Sequence, residues 1–181
     1  MRSFVALDLP EPLVEAALRV QGHLTTGRAV PEDNLHLTLV YLGDQDPGVL
    51  EELHHGLDAL SRRMAAPAIR LRGFETFGGS AAPRLVAAGV APDPALTQLQ
   101  RAVRRAVEDA GIALPRERFR PHVTLARFGT GIAAGEAPKL GRFLSAHGDF
   151  AAGPEPAPSF GLYESILKRE GAIYAPLATY P

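Results

Sequence analysis

His36 and Thr38 stand two residues apart, as do His122 and Thr124. The runs His36-Leu37-Thr38-Leu39-Val40-Tyr41-Leu42-Gly43 and His122-Val123-Thr124-Leu125-Ala126-Arg127-Phe128-Gly129 share the pattern H-h-T-L-x-x-h-G, where h is apolar. One such run carries little, because a lone histidine in an apolar stretch is more often a hydrogen-bonded structural residue. Two matched runs 86 residues apart carry much more. Two imidazoles and two hydroxyls gathered in one cleft suit a phosphodiester. A neutral imidazole takes a proton from water while an imidazolium protonates the departing oxygen. Each threonine hydroxyl can donate to a nonbridging phosphoryl oxygen. An ordinary histidine titrates at about 6.5, so a mixed pair is accessible near neutral pH. The scheme needs no metal or other cofactor, and no carboxylate stands at ligand spacing from either motif.

The elements that must position these residues alternate between strand and helix. Residues i and i+2 of a strand share a face, so each His-Thr pair points one way while Leu35, Leu37 and Leu39 point the other. Before the first motif come an apolar run, Phe4 to Leu7, and a helical stripe of Leu13, Ala16, Ala17, Val20 and Leu24. After it, Pro47 opens a second helix with Val49, Leu50, Leu53, Leu57, Leu60 and Met64 on one face, then a strand from Ala68 to Phe77. The run Gly78-Gly79-Ser80-Ala81-Ala82-Pro83 punctuates the chain near its midpoint, and the same order begins again. It continues as a strand at Arg84–Val90, a helix with Leu96, Leu99, Val103 and Val107, a strand at Arg118–Phe128, a short helical stretch with Leu140, Phe143 and Leu144, and final strands at Pro158–Leu167 and Ile173–Tyr180. Gly/Pro-rich segments at 129–138 and 148–158 read as loops.

This predicts an α+β fold: one bilobal domain over residues 1–181, with duplicated β-α-β-α-β halves of approximately 1–80 and 81–181. Related by a pseudo-two-fold axis, the halves would line a central cleft with largely antiparallel sheets.

With 181 residues, 46% of them hydrophobic, the chain can bury one substantial core. It has no cysteine, which removes thiol nucleophiles, disulfides, iron–sulfur clusters and cysteine-ligated zinc. No run reaches the roughly 18 apolar residues of a membrane span, and the first residues lack a secretory h-region; the expected location is cytoplasmic. A net charge of -1 argues against coating long nucleic acid but leaves a small anion or a polymer end as ligand.

The two motifs, their separation and the run Phe119-Arg120-Pro121-His122-Val123-Thr124-Leu125-Ala126-Arg127 resemble the two-histidine (2H) phosphoesterase superfamily. Within it the chain is similar to the RNA 2′,3′-cyclic phosphodiesterases, also called 2′-5′ RNA ligases. The resemblance spans nearly the whole chain, from Phe4-Val5-Ala6-Leu7 to the segment Leu162–Tyr174. It implies a bilobal fold and metal-free hydrolysis of terminal 2′,3′-cyclic phosphates to 2′-phosphates. It places the catalytic histidines on His36 and His122 and the phosphate-contacting threonines on Thr38 and Thr124. It also draws in Tyr41 and Arg127, each five residues after its histidine. Our reading takes His122 as base and His36 as acid, although the sequence does not order them.

Five is an odd step, so strict alternation turns Tyr41 and Arg127 away from the histidines. They reach the cleft only if each strand bends or ends early; there they would stack on a nucleobase. Arg120, two before His122, reaches the cleft by alternation and is a further nucleotide-binding candidate. The other basic residues around Arg101–Arg118 read as a solvated face or as a funnel for an RNA backbone. His54-His55, His23 and His147 read as solvated surface residues, and Ser165 and Tyr174 as core or cleft wall.

Expected partners are RNA 3′ ends or small cyclic-phosphate nucleotides, with no membrane and no obligate protein partner. Three alternatives stay open: the reverse reaction, 2′-5′ RNA ligation; a protein that binds RNA ends or nucleotides without turnover; and, remotely, a histidine-only metal hydrolase.

Overall fold

The strands that carry the motifs lie beside strands buried on both faces. Phe4, Val5, Ala6 and Leu7 in β1 (Arg2–Asp8), and Val86, Ala87 and Ala88 in β5 (Leu85–Val90), are almost wholly excluded from solvent. Such continuous apolar runs suit central strands covered on either side. The computed structural model describes residues 1–79 and 81–181. Ser80, in the Gly78–Pro83 punctuation where the sequence halves meet, lies outside the described residues.

The remaining elements are α1 (Glu11–Gln21), β2 (Arg28–Ala29), β3 (His36–Asp44), α2 (Pro47–Ser61), β4 (Ala68–Phe77), α3 (Pro94–Asp109), β6 (His122–Arg127), α4 (Ala137–Ala146), β7 (Ala151–Pro156), β8 (Phe160–Lys168) and β9 (Gly171–Tyr180). They form two antiparallel sheets, ordered β3-β1-β8-β9 and β2-β6-β5-β4-β7. The helices pack their apolar stripes on these sheets: Leu13, Ala17 and Val20 from α1, Leu50, Leu53 and Leu57 from α2, Leu96, Leu99 and Val103 from α3, Leu140 and Phe143 from α4. One hydrophobic core runs through both sheets.

The two sheets match over three strands. β3-β1-β8 in one corresponds to β6-β5-β4 in the other, where β8 and β4 each come from the opposite end of the chain. The first sheet therefore takes two strands from each side of the midpoint, and the second takes β2 and β4 from one side and β5, β6 and β7 from the other. The helices exchange likewise: α1 packs against β6 and β7, and α3 against β3. Neither sheet is complete without strands from the other half of the chain, and one apolar core joins them.

Three boundaries differ from the sequence reading. Residues 148–158, read as a loop for their Gly and Pro content, contain β7, which pairs with β4 at the edge of its sheet. An edge strand tolerates Pro154 and Pro156 because one of its sides needs no ladder donors. The strand expected over 118–128 begins only at His122, after Pro121, which has no N–H to contribute. The two-residue β2 carries no periodicity of its own and exists only through its pairing with β6.

Gly89 lies opposite His122 in the ladder. A Cβ there would sit 2.6 Å from the Arg72 carbonyl oxygen, a backbone atom that cannot turn aside. Gly89→Ala should therefore cost about 1–3 kcal/mol by prying β4 from β5, read as a lower midpoint in urea unfolding at unchanged slope.

Candidate active site

Each motif strand carries a bulge at the same place. In β3, Thr38 faces Ala6 and Val40 faces Val5, so Leu39 has no opposite number. In β6, Thr124 faces Ala87 and Ala126 faces Val86, so Leu125 has none. Leu39 and Val40 are both buried, as are Leu125 and Ala126, which breaks the alternation. An extra residue of this kind reverses the parity of everything after it. Tyr41 and Arg127 thereby return to the face of their histidines instead of pointing away as strict alternation predicts. Both are exposed, and both line one cavity with His36.

The His36 ring is held from several sides. Its Nδ1 lies 2.6 Å from the Asn34 carbonyl oxygen, so Nδ1–H donates there and Nε2 carries the lone pair of the neutral ring. Nε2 is 2.9 Å from Thr38 Oγ1, whose hydroxyl donates to it. Phe4 packs on the ring at 5.0 Å between centroids, and Tyr174 meets it edge-on at 5.1 Å. Burial dominates its titration and lowers its pKa from 6.5 to about 4. The Asn34 contact raises it, the nearby positive charges of Arg127 and His122 lower it further, and the Asp8 carboxylate partly opposes them. His36 is thus neutral at pH 7 in the ligand-free cleft. β3 and β6, one from each sheet, also pack against each other, which sets the two motif strands side by side.

His122 has the same tether, with Nδ1 at 2.7 Å from the Arg120 carbonyl oxygen. Its ring lies 4.3 Å from that of Phe77. The Arg120 guanidinium sits over the other partner of this stack, 4.3 Å from the Phe77 centroid, and 4.0 Å from Glu75. Arg120 therefore serves His122 through its backbone, while its side chain is engaged with Phe77 and Glu75. Thr124 is half-buried on the His122 face, as Thr38 is on the His36 face.

The cavity, of about 1180 Å³, starts at His36 and extends past Tyr41 and Arg127 to the β8–β9 hairpin. His122, Thr38, Thr124 and Arg120 lie outside its lining. Ser165 and Tyr174 are among its walls, as expected.

Sequence reasoning missed the supports. Asp8, opposite His36 in the ladder, accepts hydrogen bonds from Ser159 Oγ, at 2.5 Å, and from the Tyr163 hydroxyl. Burial and this carboxylate hold the Tyr163 phenol protonated. Asp8 shares the face of Phe4 and Ala6 by alternation, but its hydroxyl partners are more than 150 residues away. Asn34 ties the His36 segment to the hairpin through Nδ2, which donates to the Ala172 carbonyl oxygen at 2.8 Å.

One expectation about the other histidines needs correcting. His54 is not merely solvated, since its Nδ1 is 2.9 Å from the Tyr180 hydroxyl. His23 and His147, read as surface residues, do lie at the surface, His23 exposed and His147 partly so, with ring centroids 4.7 Å apart. Among the described residues no three histidine or acidic side chains gather as metal ligands, and no helix is long and apolar enough to cross a membrane.

The chain is similar to known proteins in sequence and in fold. Residues 9–150 match the 2′-5′ RNA ligase superfamily. An RNA 2′,3′-cyclic phosphodiesterase of Geobacillus stearothermophilus is 30% identical over 98% of this chain, which spans only 56% of that protein. One from Aeropyrum pernix is 32% identical, over 83% of each chain. The crystal structure of TT0787 from Thermus thermophilus superposes with a TM-score of 0.79 at 28% identity, covering 99% of this chain and 97% of that one.

The state of His36 has a measurable consequence. Its pKa is about 4 when folded and about 6.5 when unfolded, so between these values the unfolded chain binds more protons. Stability from the neutral ring is fully present above pH 6.5 and is lost as the pH falls through 4. The full shift is worth at most about 3 kcal/mol. His36→Gln should flatten the decline in urea-unfolding free energy between about pH 6.5 and 4. An unchanged slope would show that another group carries it.

Proposed function

The chain belongs to the 2′-5′ RNA ligase superfamily, and we propose that its cleft hydrolyses the terminal 2′,3′-cyclic phosphate of RNA or of a small nucleotide, leaving a 2′-phosphate, and that it does so in the cytoplasm. It is an enzyme of the phosphodiesterase type. The observation that carries this reading is the matched tethering of the two rings. Each donates Nδ1–H to the carbonyl oxygen two residues before it, which leaves Nε2 as the nitrogen available for proton transfer.

The reaction follows from those two nitrogens. His122 Nε2 takes a proton from water as its oxygen attacks phosphorus. The bond from phosphorus to the ribose 3′ oxygen breaks, and His36 Nε2–H delivers a proton to that oxygen. Thr38 and Thr124 donate to the nonbridging oxygens, where negative charge builds up. For Thr38 this means exchanging its contact with His36 for one with the phosphate. In this order His36, neutral in the free cleft, takes up its proton as substrate binds. The anionic phosphate favours this by offsetting the repulsion from Arg127, which helps to hold the free ring neutral. Tyr41 and Arg127, at the mouth, supply planar surfaces for the nucleobase. No step in this sequence calls on a metal ion or a bound cofactor.

Adenosine 2′,3′-cyclic phosphate should be opened to the 2′-phosphate in the presence of chelator. Either His36→Ala or His122→Ala should lower kcat by about 10²–10⁴. Full activity in both variants would remove the histidines from the mechanism, and a 3′-phosphate product would mean that the other ribose oxygen leaves. Tyr41→Ala should raise KM several-fold with little change in kcat, because stacking holds the base equally in ground and transition states. An unchanged KM would take Tyr41 out of the nucleotide site.

A further inference from the structure

The two-residue strand β2 brings two like charges together. It places Arg28 directly opposite Arg127 in the β2–β6 ladder. Guanidinium groups across a strand pair repel, yet among the described residues no carboxylate bridges either of them. Arg28 instead reaches across the cleft to the other sheet. Its Nη2 lies 3.4 Å from where a Cβ on Gly171 would stand, at the start of β9. Arg2, Lys168 and Arg169 line the same cavity, with Glu170 as the one acidic residue among its described walls.

This arrangement is built. The Gln21 side-chain amide donates to the carbonyl oxygens of Val30 and Leu125, both at 2.8 Å, and Val30 N–H also bonds to Leu125 at 2.9 Å. Gly27 lies so close on the Phe128 ring that a Cβ would be 2.4 Å from it. The opposite wall is fixed by Asn34, through its bond to Ala172. Both walls are therefore rigid, and the charges they carry are held together at a cost in repulsion. A single terminal phosphate at the histidines does not use them, since they line the cavity outward from His36. The cavity itself, at about 1180 Å³, exceeds the roughly 300–1,000 Å³ of a typical small-molecule site.

We propose that Arg28 and Lys168 form a second anion subsite, which holds the phosphodiester on the 5′ side of the terminal nucleotide. The preferred substrate is then an oligonucleotide with a cyclic-phosphate end, and a mononucleotide fills only part of the cleft. This rests on the cyclic-phosphate reading of the histidine pair and adds to it the length of the chain that is gripped. Arg28 suits the role because its planar fork can take two phosphate oxygens at once, with Lys168 as a point charge facing it.

The test compares kcat/KM for adenosine 2′,3′-cyclic phosphate and for a trinucleotide ending in the same group. The native protein should favour the trinucleotide, and the preference should shrink as salt is raised. Arg28→Ala should lower the ratio of the two about tenfold, and Lys168→Ala by a smaller factor, while Arg28→Lys should restore part of it. Arg62→Ala, at the exposed C-terminal end of α2 beside Asp58, is the control for a generic loss of positive charge and should leave the ratio unchanged. Equal kcat/KM for the two substrates in the native protein would overturn the subsite, as would a ratio that Arg28→Ala does not move. If neither substrate is opened, the reading of the histidines fails as well; opening of the mononucleotide without preference defeats the subsite alone.

Discussion

A β-strand cannot present residues i, i+2 and i+5 on one face unless it takes in an extra residue between the second and the third. Both motif strands do so, with Leu39 and Leu125 as the added residues. The leucine common to both motifs thus has a role that neither the histidine nor the threonine explains. It is buried, it resets the parity of the strand, and it turns a reactive pair and a more distant planar side chain toward one cleft. Without the bulges, Tyr41 and Arg127 would lie on the helix-covered side, and the cavity would lose its mouth.

The second constraint is the exchange of strands between sheets. Because β4 and β8 cross over, and α1 and α3 pack on strands from the other side of the sequence midpoint, the cleft is set by a continuous apolar core. Acid–base catalysis across a cleft demands that the two nitrogens keep their separation to a fraction of an ångström. A flexible hinge between independent lobes would not supply that. Tethering both Nδ1 atoms to local carbonyl oxygens then fixes each ring within its own strand.

Symmetry ends at the electrostatics. His36 is packed among Phe4, Tyr174 and Thr38, with Asp8 and its two hydroxyl partners behind it, whereas His122 stands against Phe77, whose ring also carries the Arg120 guanidinium. Nearly the same motif thus sits in two different dielectric settings. Burial is the largest of the effects that keep the His36 imidazole neutral in the free cleft, so its service as the acid depends on the proton it takes up with the substrate.

The reactive residue types were legible in the sequence because the motif occurs twice and strand periodicity assigns each His-Thr pair to a single face. The apolar stripes of Leu50 to Leu60 and Leu96 to Val107 likewise marked α2 and α3, since helical spacing is a local property. Other features depend on partners distant in the chain and leave no local trace. Pairing alone makes β7 a strand despite its prolines and makes β2 a strand at all. The bulges at Leu39 and Leu125 exist only in register with β1 and β5. Asp8, Asn34 and Arg28 read as ordinary polar residues until Tyr163, Ala172 and Gly171 are brought to them. The sequence by itself determined which groups are available for the chemistry, because their identity and spacing are written in the chain. Only the tertiary structure decided which ring is neutral, which side chains reach the cleft and where its positive charge lies, because burial, register and charge proximity are set by what folds against them.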